Sequence, residues 1–120
     1  MKSVCIIIPT RERAHTLKYT IKTCLNQEYR NLRVLVCDNY SSDNTKEVVS
    51  SFKDSRLDYI NPGKRLSMSE NWEFAMNNCH EDLVTIIGDD DGFLPNSIDQ
   101  ATTILEKHRE KPMFLSIRPI

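Results

Sequence analysis

LVTIIGDDDGFLP, residues 83–95, decides how this chain is read. Leu83 to Ile87 are apolar or β-branched and run into a single glycine, Gly88, followed by three consecutive aspartates. An apolar run of that length, closed by a turn signal, predicts a buried central strand. Carboxylates placed directly after it emerge at the strand's C-terminal end, where open α/β sheets bind their ligands. Three adjacent acids repel one another, so the cluster calls for a cation. Side chains alternate along extended backbone, which puts Asp89 and Asp91 on one side and Asp90 on the other. An acid-x-acid pair of hard oxygens suits Mg²⁺ or Mn²⁺, which take one or two protein carboxylates and complete their shell with phosphate and water. The plainer alternative is a solvated acidic turn that caps the next helix with negative charge. The strand before the acids and Phe93-Leu94-Pro95 after them favour the ligand-binding reading.

Upstream, Val4 to Ile8 reads as a first strand, apolar on both faces as a covered parallel strand must be. Pro9 ends it, and Thr10 to Arg13 form a polar loop. Ala14, Leu17, Ile21, Cys24 and Leu25 then recur at helical spacing to about Gln27. Leu32 to Cys37 is the second strand, followed by a cluster of turn and cap formers in which Asn44 and Glu47 make a capping box. Leu57 to Ile60 is a short third strand, and Ser67 with Glu70 forms a second capping box. Met68, Trp72, Ala75, Met76 and Cys79 share one face of the helix that follows, a stripe read as core. After the aspartates, Pro95 to Ser97 open a helix with Leu94, Ile98, Ala101 and Leu105 inward and Lys107, His108 and Arg109 near its end. Pro112 stops it, and Met113 to Ile117 is a fifth strand. Strands alternating with helices through short connections predict an α/β fold, a mostly parallel sheet with helices on both faces.

Composition narrows the function. A chain of 120 residues fits one domain, residues 1–120, short for a complete two-substrate enzyme. Sixteen basic and seventeen acidic residues give a net charge of −1, which excludes an electrostatic footprint for nucleic acid. No apolar run approaches the ~20 residues of a membrane span. The short apolar start is no signal peptide, so a cytoplasmic location is expected, with peripheral docking on a membrane left open. Cys5, Cys24, Cys37 and Cys79 lack metal-ligand spacing and read as buried free thiols; His15, His80 and His108 read as surface residues.

The strand ends collect their polar residues along one rim, in Pro9 to Arg13, Asp38 to Asp43, Asn61 to Arg65 and Asp89 to Asp91. That inventory offers acceptors for a ribose and a base, basic groups for phosphate, and an acid pair for a divalent metal. Only three glycines occur, with no glycine-rich phosphate loop and no GxSxG turn, which disfavours dinucleotide oxidoreductases, P-loop NTPases and α/β-hydrolases.

VCIIIPTRER at 4–13, VLVCDNYSSDNT at 34–45, ENWEFAM at 70–76 and TIIGDDDGFLP at 85–95 together resemble the N-terminal, nucleotide-binding half of the inverting family 2 glycosyltransferases, which have the GT-A fold. The pieces stand in the family's order and at its spacing, and cover nearly the whole chain. The resemblance implies that Pro9 and Thr10 line the nucleotide pocket through their backbone, and that Asp38 and Asn39 hold the base, usually uracil. It implies that Asp89 and Asp91 form the DXD motif, Asp91 as the direct metal ligand and Asp89 nearer the ribose or the metal's water shell, with Asp90 beside them. Arg65 is assigned to the diphosphate or base, and Glu12 and Arg13 are weaker candidates from the first loop. The expected ligands are a nucleoside-diphosphate sugar, UDP-linked, and Mn²⁺ or Mg²⁺; the acceptor is a hydroxyl on a glycan, lipid or protein. Two positions depart from the family pattern. Arg11 and Glu12 stand where an aromatic and an Asn are common, and Asn39 replaces the second base-holding acid. An amide both donates and accepts, so base binding survives while the uracil preference weakens. The general base is expected beyond Ile120, in an acceptor-binding half, so no residue here is assigned as catalytic.

Three other readings compete. A sugar-nucleotide nucleotidyltransferase needs a glycine-rich basic segment after the first strand, which Thr10 to Arg13 lacks. A receiver-type signalling domain needs an Asp after its third strand, where Asn61 stands. A non-catalytic binding or scaffolding module of the same fold is the third.

Overall fold

The computed structural model describes residues 1–107. The expected strand at 113–117 and the helix end at 108 and 109 lie outside the described residues. Eight elements alternate along the chain: β1 (Val4–Thr10), α1 (Ala14–Leu25), β2 (Leu32–Asp38), α2 (Thr45–Ser50), β3 (Leu57–Ile60), α3 (Met68–Asn77), β4 (Leu83–Ile86) and α4 (Ser97–Lys107). The four strands form one parallel sheet in the order β3-β2-β1-β4.

β1 is an inner strand, with β2 on one side and β4 on the other. It pairs with β2 from Val4↔Leu32 to Thr10↔Asp38 and with β4 from Val4↔Leu83 to Ile7↔Ile86. Its alternate residues feed two cores. Val4, Ile6 and Ile8 pack with Leu17, Ile21 and Cys24 of α1, Val49 of α2 and Ile98 of α4. Cys5 and Ile7 pack on the other face with Leu35, Cys37 and Ala75 of α3. Helices therefore cover both faces, as the apolar runs require. Each of these fully buried aliphatic side chains contributes about 1.5–3 kcal/mol.

The expectation of a buried central strand over Leu83 to Ile87 is corrected as to burial; the strand expected at 113–117, which bears on its position, lies outside the described residues. β4 pairs with β1 alone among the described residues, and Leu83 to Ile86 are only half-buried. A run of apolar residues reports burial in general and not position in the sheet, since β1 and β2 carry such runs too.

A second correction concerns α3. Met68 and Met76 are 72% and 46% exposed and Trp72 39%, while Asn71 and Ala75 face the sheet. Asn71 can be buried because its side chain accepts from the Cys37 thiol at 3.2 Å and its amide reaches the Cys37 carbonyl at 3.4 Å. A polar residue satisfied in this way turns the helix by about one position and carries the methionines and the tryptophan outward. Its N-terminus follows the sequence: Ser67 and Glu70 form the expected capping box.

α2 is capped differently from expectation. Asn44 makes no side-chain capping bond; the Asp43 carboxylate accepts from the Thr45 N–H at 3.1 Å and from the Thr45 hydroxyl. Leu94 is exposed instead of inward, while Ile98 and Ala101 are buried as expected. All four cysteines are free, Cys79 being only partly buried; His15 and His80 are exposed, and His108 lies outside the described residues. Arg56 ties the end of α1 to the start of β3, donating to the Leu25 and Gln27 carbonyls at 2.6 and 3.0 Å and to Asp54 at 2.9 Å.

Candidate functional site

The C-terminal ends of β1, β2 and β4 and the segment leading into α3 converge on one cleft of about 1250 Å³. The loop after β1 brings Pro9, Thr10, Arg11 and Arg13; β2 brings Asn39; the approach to α3 brings Arg65, Leu66 and Ser67. Gly88, Asp89 and Asp91 follow β4, and Met68, Trp72, Val84 and Ile86 form an apolar wall beside them.

At its centre is Asp89, 8% exposed. One carboxylate oxygen accepts from the Thr10 hydroxyl at 2.8 Å, and the other lies 3.4 Å from the Arg13 guanidinium. Burial pushes the Asp89 carboxyl above its ordinary value, while Thr10 and Arg13 pull it back. Arg13 also reaches the exposed Asp90 at 3.1 Å, so a single guanidinium offsets two of the three acids. Asp91 is held through its backbone: its N–H donates to the Gly88 carbonyl at 3.2 Å, and its carbonyl accepts from Thr20 of α1 at 2.5 Å. Among the described residues no hydrogen bond or ion pair engages its carboxylate, which lines the cleft. Gly88 leaves room for the carboxylate ends of Asp90 and Asp91. A Cβ there would stand 3.0 Å from an Asp91 carboxylate oxygen and 3.2 Å from one of Asp90.

The other expected site residues divide into two groups. Pro9, Thr10, Arg13, Asn39, Arg65, Asp89 and Asp91 line the cleft; Glu12, Asp38 and Asp90 do not. Glu12 has a left-handed backbone (φ 54°), and its carboxylate accepts from the Ser42 and Asp43 N–H groups at 2.5 and 3.1 Å. It locks the loop after β2 to the loop after β1. Asp38 is 1% exposed and accepts from the Tyr59 hydroxyl at 2.7 Å and the Ser41 N–H at 3.1 Å. The Tyr59 hydroxyl is pushed up to about 12, chiefly by burial; Asn61 opposes the shift and Asp38 adds to it. Asn39 uses both ends of its amide on the backbone of Leu66, accepting its N–H at 2.8 Å and donating to its carbonyl at 2.7 Å. Asp38 and Asn39 are therefore both engaged with the protein, Asn39 at the cleft lining and Asp38 outside it.

Sequence reasoning missed Arg11 and Trp72. Arg11 lines the cleft, and its Nε is buried without a partner, the only such side-chain atom among the described residues. Its signal was its departure from an aromatic at that position. Trp72 was absorbed into a core stripe, and only the rotation of α3 brings it to the cleft.

The oxygen-only donor set suits a hard divalent cation: a buried, polarised Asp89, an unengaged Asp91 carboxylate, and a glycine whose missing Cβ leaves room for both. A parallel α/β sheet with an acid cluster and basic loops on its C-terminal rim has the architecture of the GT-A glycosyltransferases. The family profile confirms the assignment, matching residues 5–117: the chain belongs to glycosyl transferase family 2. It is 30% identical over 113 residues to the GalNAc(5)-diNAcBac-PP-undecaprenol beta-1,3-glucosyltransferase of Campylobacter jejuni, covering 92% of this chain and 36% of that protein. It is 28% identical over 111 residues to the UDP-Glc:alpha-D-GlcNAc-diphosphoundecaprenol beta-1,3-glucosyltransferase WfgD of Escherichia coli, covering 92% and 44%. The chain thus spans less than half the length of these curated relatives. Among solved structures, the mannosyltransferase PcManGT of Pyrobaculum calidifontis in complex with GDP-Man and Mn²⁺ superposes with a TM-score of 0.79 at 22% identity, over 87% of this chain and 32% of that one. TarS of S. aureus in complex with UDP-GlcNAc gives 0.81 at 16% identity, over 89% and 32%. At these identities the likeness concerns the fold.

Proposed function

We propose that these residues form the donor-binding part of an inverting glycosyltransferase that uses a nucleoside-diphosphate sugar, UDP-linked, and a divalent cation. The observation that carries this reading is the pairing of a buried Asp89, fixed by Thr10 and Arg13, with an Asp91 carboxylate left unengaged at the open cleft. Asp91 holds Mn²⁺ or Mg²⁺ directly, Asp89 acts on the ribose or the cation's water shell, and the cation, when bound, supplies charge to the diphosphate. Arg11, Arg13 and Arg65 add positive charge along the same wall, where a departing nucleoside diphosphate gathers negative charge. Pro9 and Thr10 border the nucleotide through their backbone. Asp38 and Asn39 act at the base end by holding the loop at Leu66 in place, and Glu12 does the same for the loop after β2.

The reaction is displacement at the anomeric carbon by an acceptor hydroxyl, with inversion. Its general base comes from outside the residues assigned here. The relatives named for diphosphoundecaprenol-linked sugars point to a hydroxyl on a lipid-linked sugar, and hence to work at a membrane surface; among the described residues no helix is long and apolar enough to cross a membrane.

Titration calorimetry with UDP, UDP-glucose and GDP-mannose, each with and without Mn²⁺, tests this reading. Mn²⁺-dependent binding of the uridine ligands is expected, and Asp91→Asn removes the metal-dependent part. A folded sample with no affinity for any of the three in Mn²⁺ refutes the donor-site assignment.

A further inference from the structure

Away from the donor cleft, toward the N-terminal ends of the strands, two thiols that are 74 residues apart in sequence meet. Cys5 lies in β1 and is fully buried; Cys79 follows the C-terminal end of α3 and is partly exposed. Their sulfurs are 3.4 Å apart. We propose that Cys5 and Cys79 are a modification site, a thiol pair that closes to an intramolecular disulfide on exposure to peroxide and reopens with a small thiol.

Separation and access both favour this pair over the other cysteines. Cys24 packs in the core on the opposite face of the sheet, and the Cys37 thiol is held by Asn71. At 3.4 Å the two sulfurs are in van der Waals contact, about 1.4 Å beyond the length of an S–S bond. The exposed partner gives a diffusing oxidant its entry. Its neighbours complete the chemistry: a carboxylate oxygen of Glu81 lies within 4.8 Å of both sulfurs, and Arg33 stands 3.5 Å from Glu81. Burial, reinforced by Cys79, holds the Cys5 thiol above its ordinary value, which fits Cys5 as the second partner to react.

The steps balance with hydrogen peroxide as the oxidant. The Cys79 thiolate attacks one peroxide oxygen, the O–O bond breaks, and hydroxide leaves and is protonated to water, giving a sulfenic acid on Cys79. The Cys5 sulfur then attacks the Cys79 sulfur, the S–O bond breaks, and the Cys5 proton passes through Glu81 to the departing hydroxide, which leaves as a second water. Two thiols lose two electrons and one peroxide becomes two waters. A small thiol reverses the bond by exchange.

A zinc ion on Cys5, Cys79 and Glu81 is the competing use of this cluster. Arg33 weighs against it, because its guanidinium already pairs with Glu81 and donates to the Asn78 carbonyl at 3.0 Å, leaving a fixed positive charge beside any cation.

The test treats the protein with hydrogen peroxide and then blocks, digests and maps the thiols. The expected product is a tryptic peptide of residues 3–11 joined to that of 66–107, with free thiols falling from four to two in denaturant. Tm rises by roughly 10 °C, since the bond closes a long loop in the unfolded chain, and dithiothreitol reverses the rise. Cys79→Ser and Cys79→Ala, each checked for folding, lose both the linked peptide and the shift. Four free thiols after treatment, or a linkage through Cys24, Cys37 or a second molecule, overturns the proposal. So does one equivalent of tightly held zinc in the purified protein that Cys79→Ser abolishes.

Discussion

Thr10→Val removes one hydroxyl from the centre of the cleft while keeping the shape of the side chain. Thr10 is 4% exposed, and its hydroxyl donates to Asp89 at 2.8 Å. A hydrogen bond from a neutral donor to a buried carboxylate contributes about 1.5–3 kcal/mol. Arg13 remains 3.4 Å away and, being half exposed, compensates for a fraction of that. The expected loss of stability is therefore about 1.5–2 kcal/mol at pH 7. Its pH dependence has a definite sign. Burial already holds Asp89 above its ordinary 3.8, so in the wild type its contribution is fully present below 3.8 and is lost as pH rises through the folded value. Removing Thr10 raises that value further and steepens the loss. Below 3.8 the acid is protonated in both states and only a neutral hydrogen bond is missing, a difference of about 1 kcal/mol. Urea denaturation across this range, at constant m-value, measures the two plateaus. Cation binding needs the ionised acid, so the pH midpoint of Mn²⁺-dependent nucleotide binding moves up. Equal destabilisation at both ends of the range, or an unmoved midpoint, refutes the role given to Thr10.

Gly88→Ala places a methyl 3.0 Å from the flexible end of Asp91. Stability changes by no more than about 0.5 kcal/mol, while calorimetry shows Mn²⁺ affinity weakened about 10- to 100-fold. Arg11→Leu removes a guanidinium whose Nε has no protein partner, so thermal stability holds while nucleoside-diphosphate affinity falls about tenfold. Tyr59→Phe costs about 1.5–3 kcal/mol at neutral pH, read by urea denaturation, because Asp38 loses a donor in a sealed site. With Tyr59 raised from 10.0 to about 12, wild-type stability present below 10 declines as pH rises toward 12, and the Phe variant lacks that decline.

Much of the architecture was legible in the chain. Apolar runs at Val4 to Ile8 and Leu32 to Cys37 announced buried parallel strands, the spacing of Ala14, Leu17, Ile21 and Cys24 announced α1, and Ser67 with Glu70 marked the start of α3. These signals are local, each a matter of periodicity or of a side chain meeting backbone within one turn. The position of acids directly after an apolar strand was legible for the same reason, since a strand's end and the rim of its sheet are one place.

What lay between elements could not be read from any one of them. Placing β1 between β2 and β4 depends on which strands pair, a contest among runs of similar apolarity. The outward turn of Met68, Trp72 and Met76 depends on Asn71 finding the Cys37 thiol and carbonyl 34 residues away. The loop-holding hydrogen bonds of Glu12, Asp38 and Asn39 depend on Ser42, Tyr59 and Leu66 arriving beside them. Sequence by itself determined the elements and the rim on which the chemistry stands, because backbone preference and side-chain period act over a few residues. Only tertiary structure decided which polar groups stay free for a ligand, because hydrogen-bond partners are assigned by proximity in space.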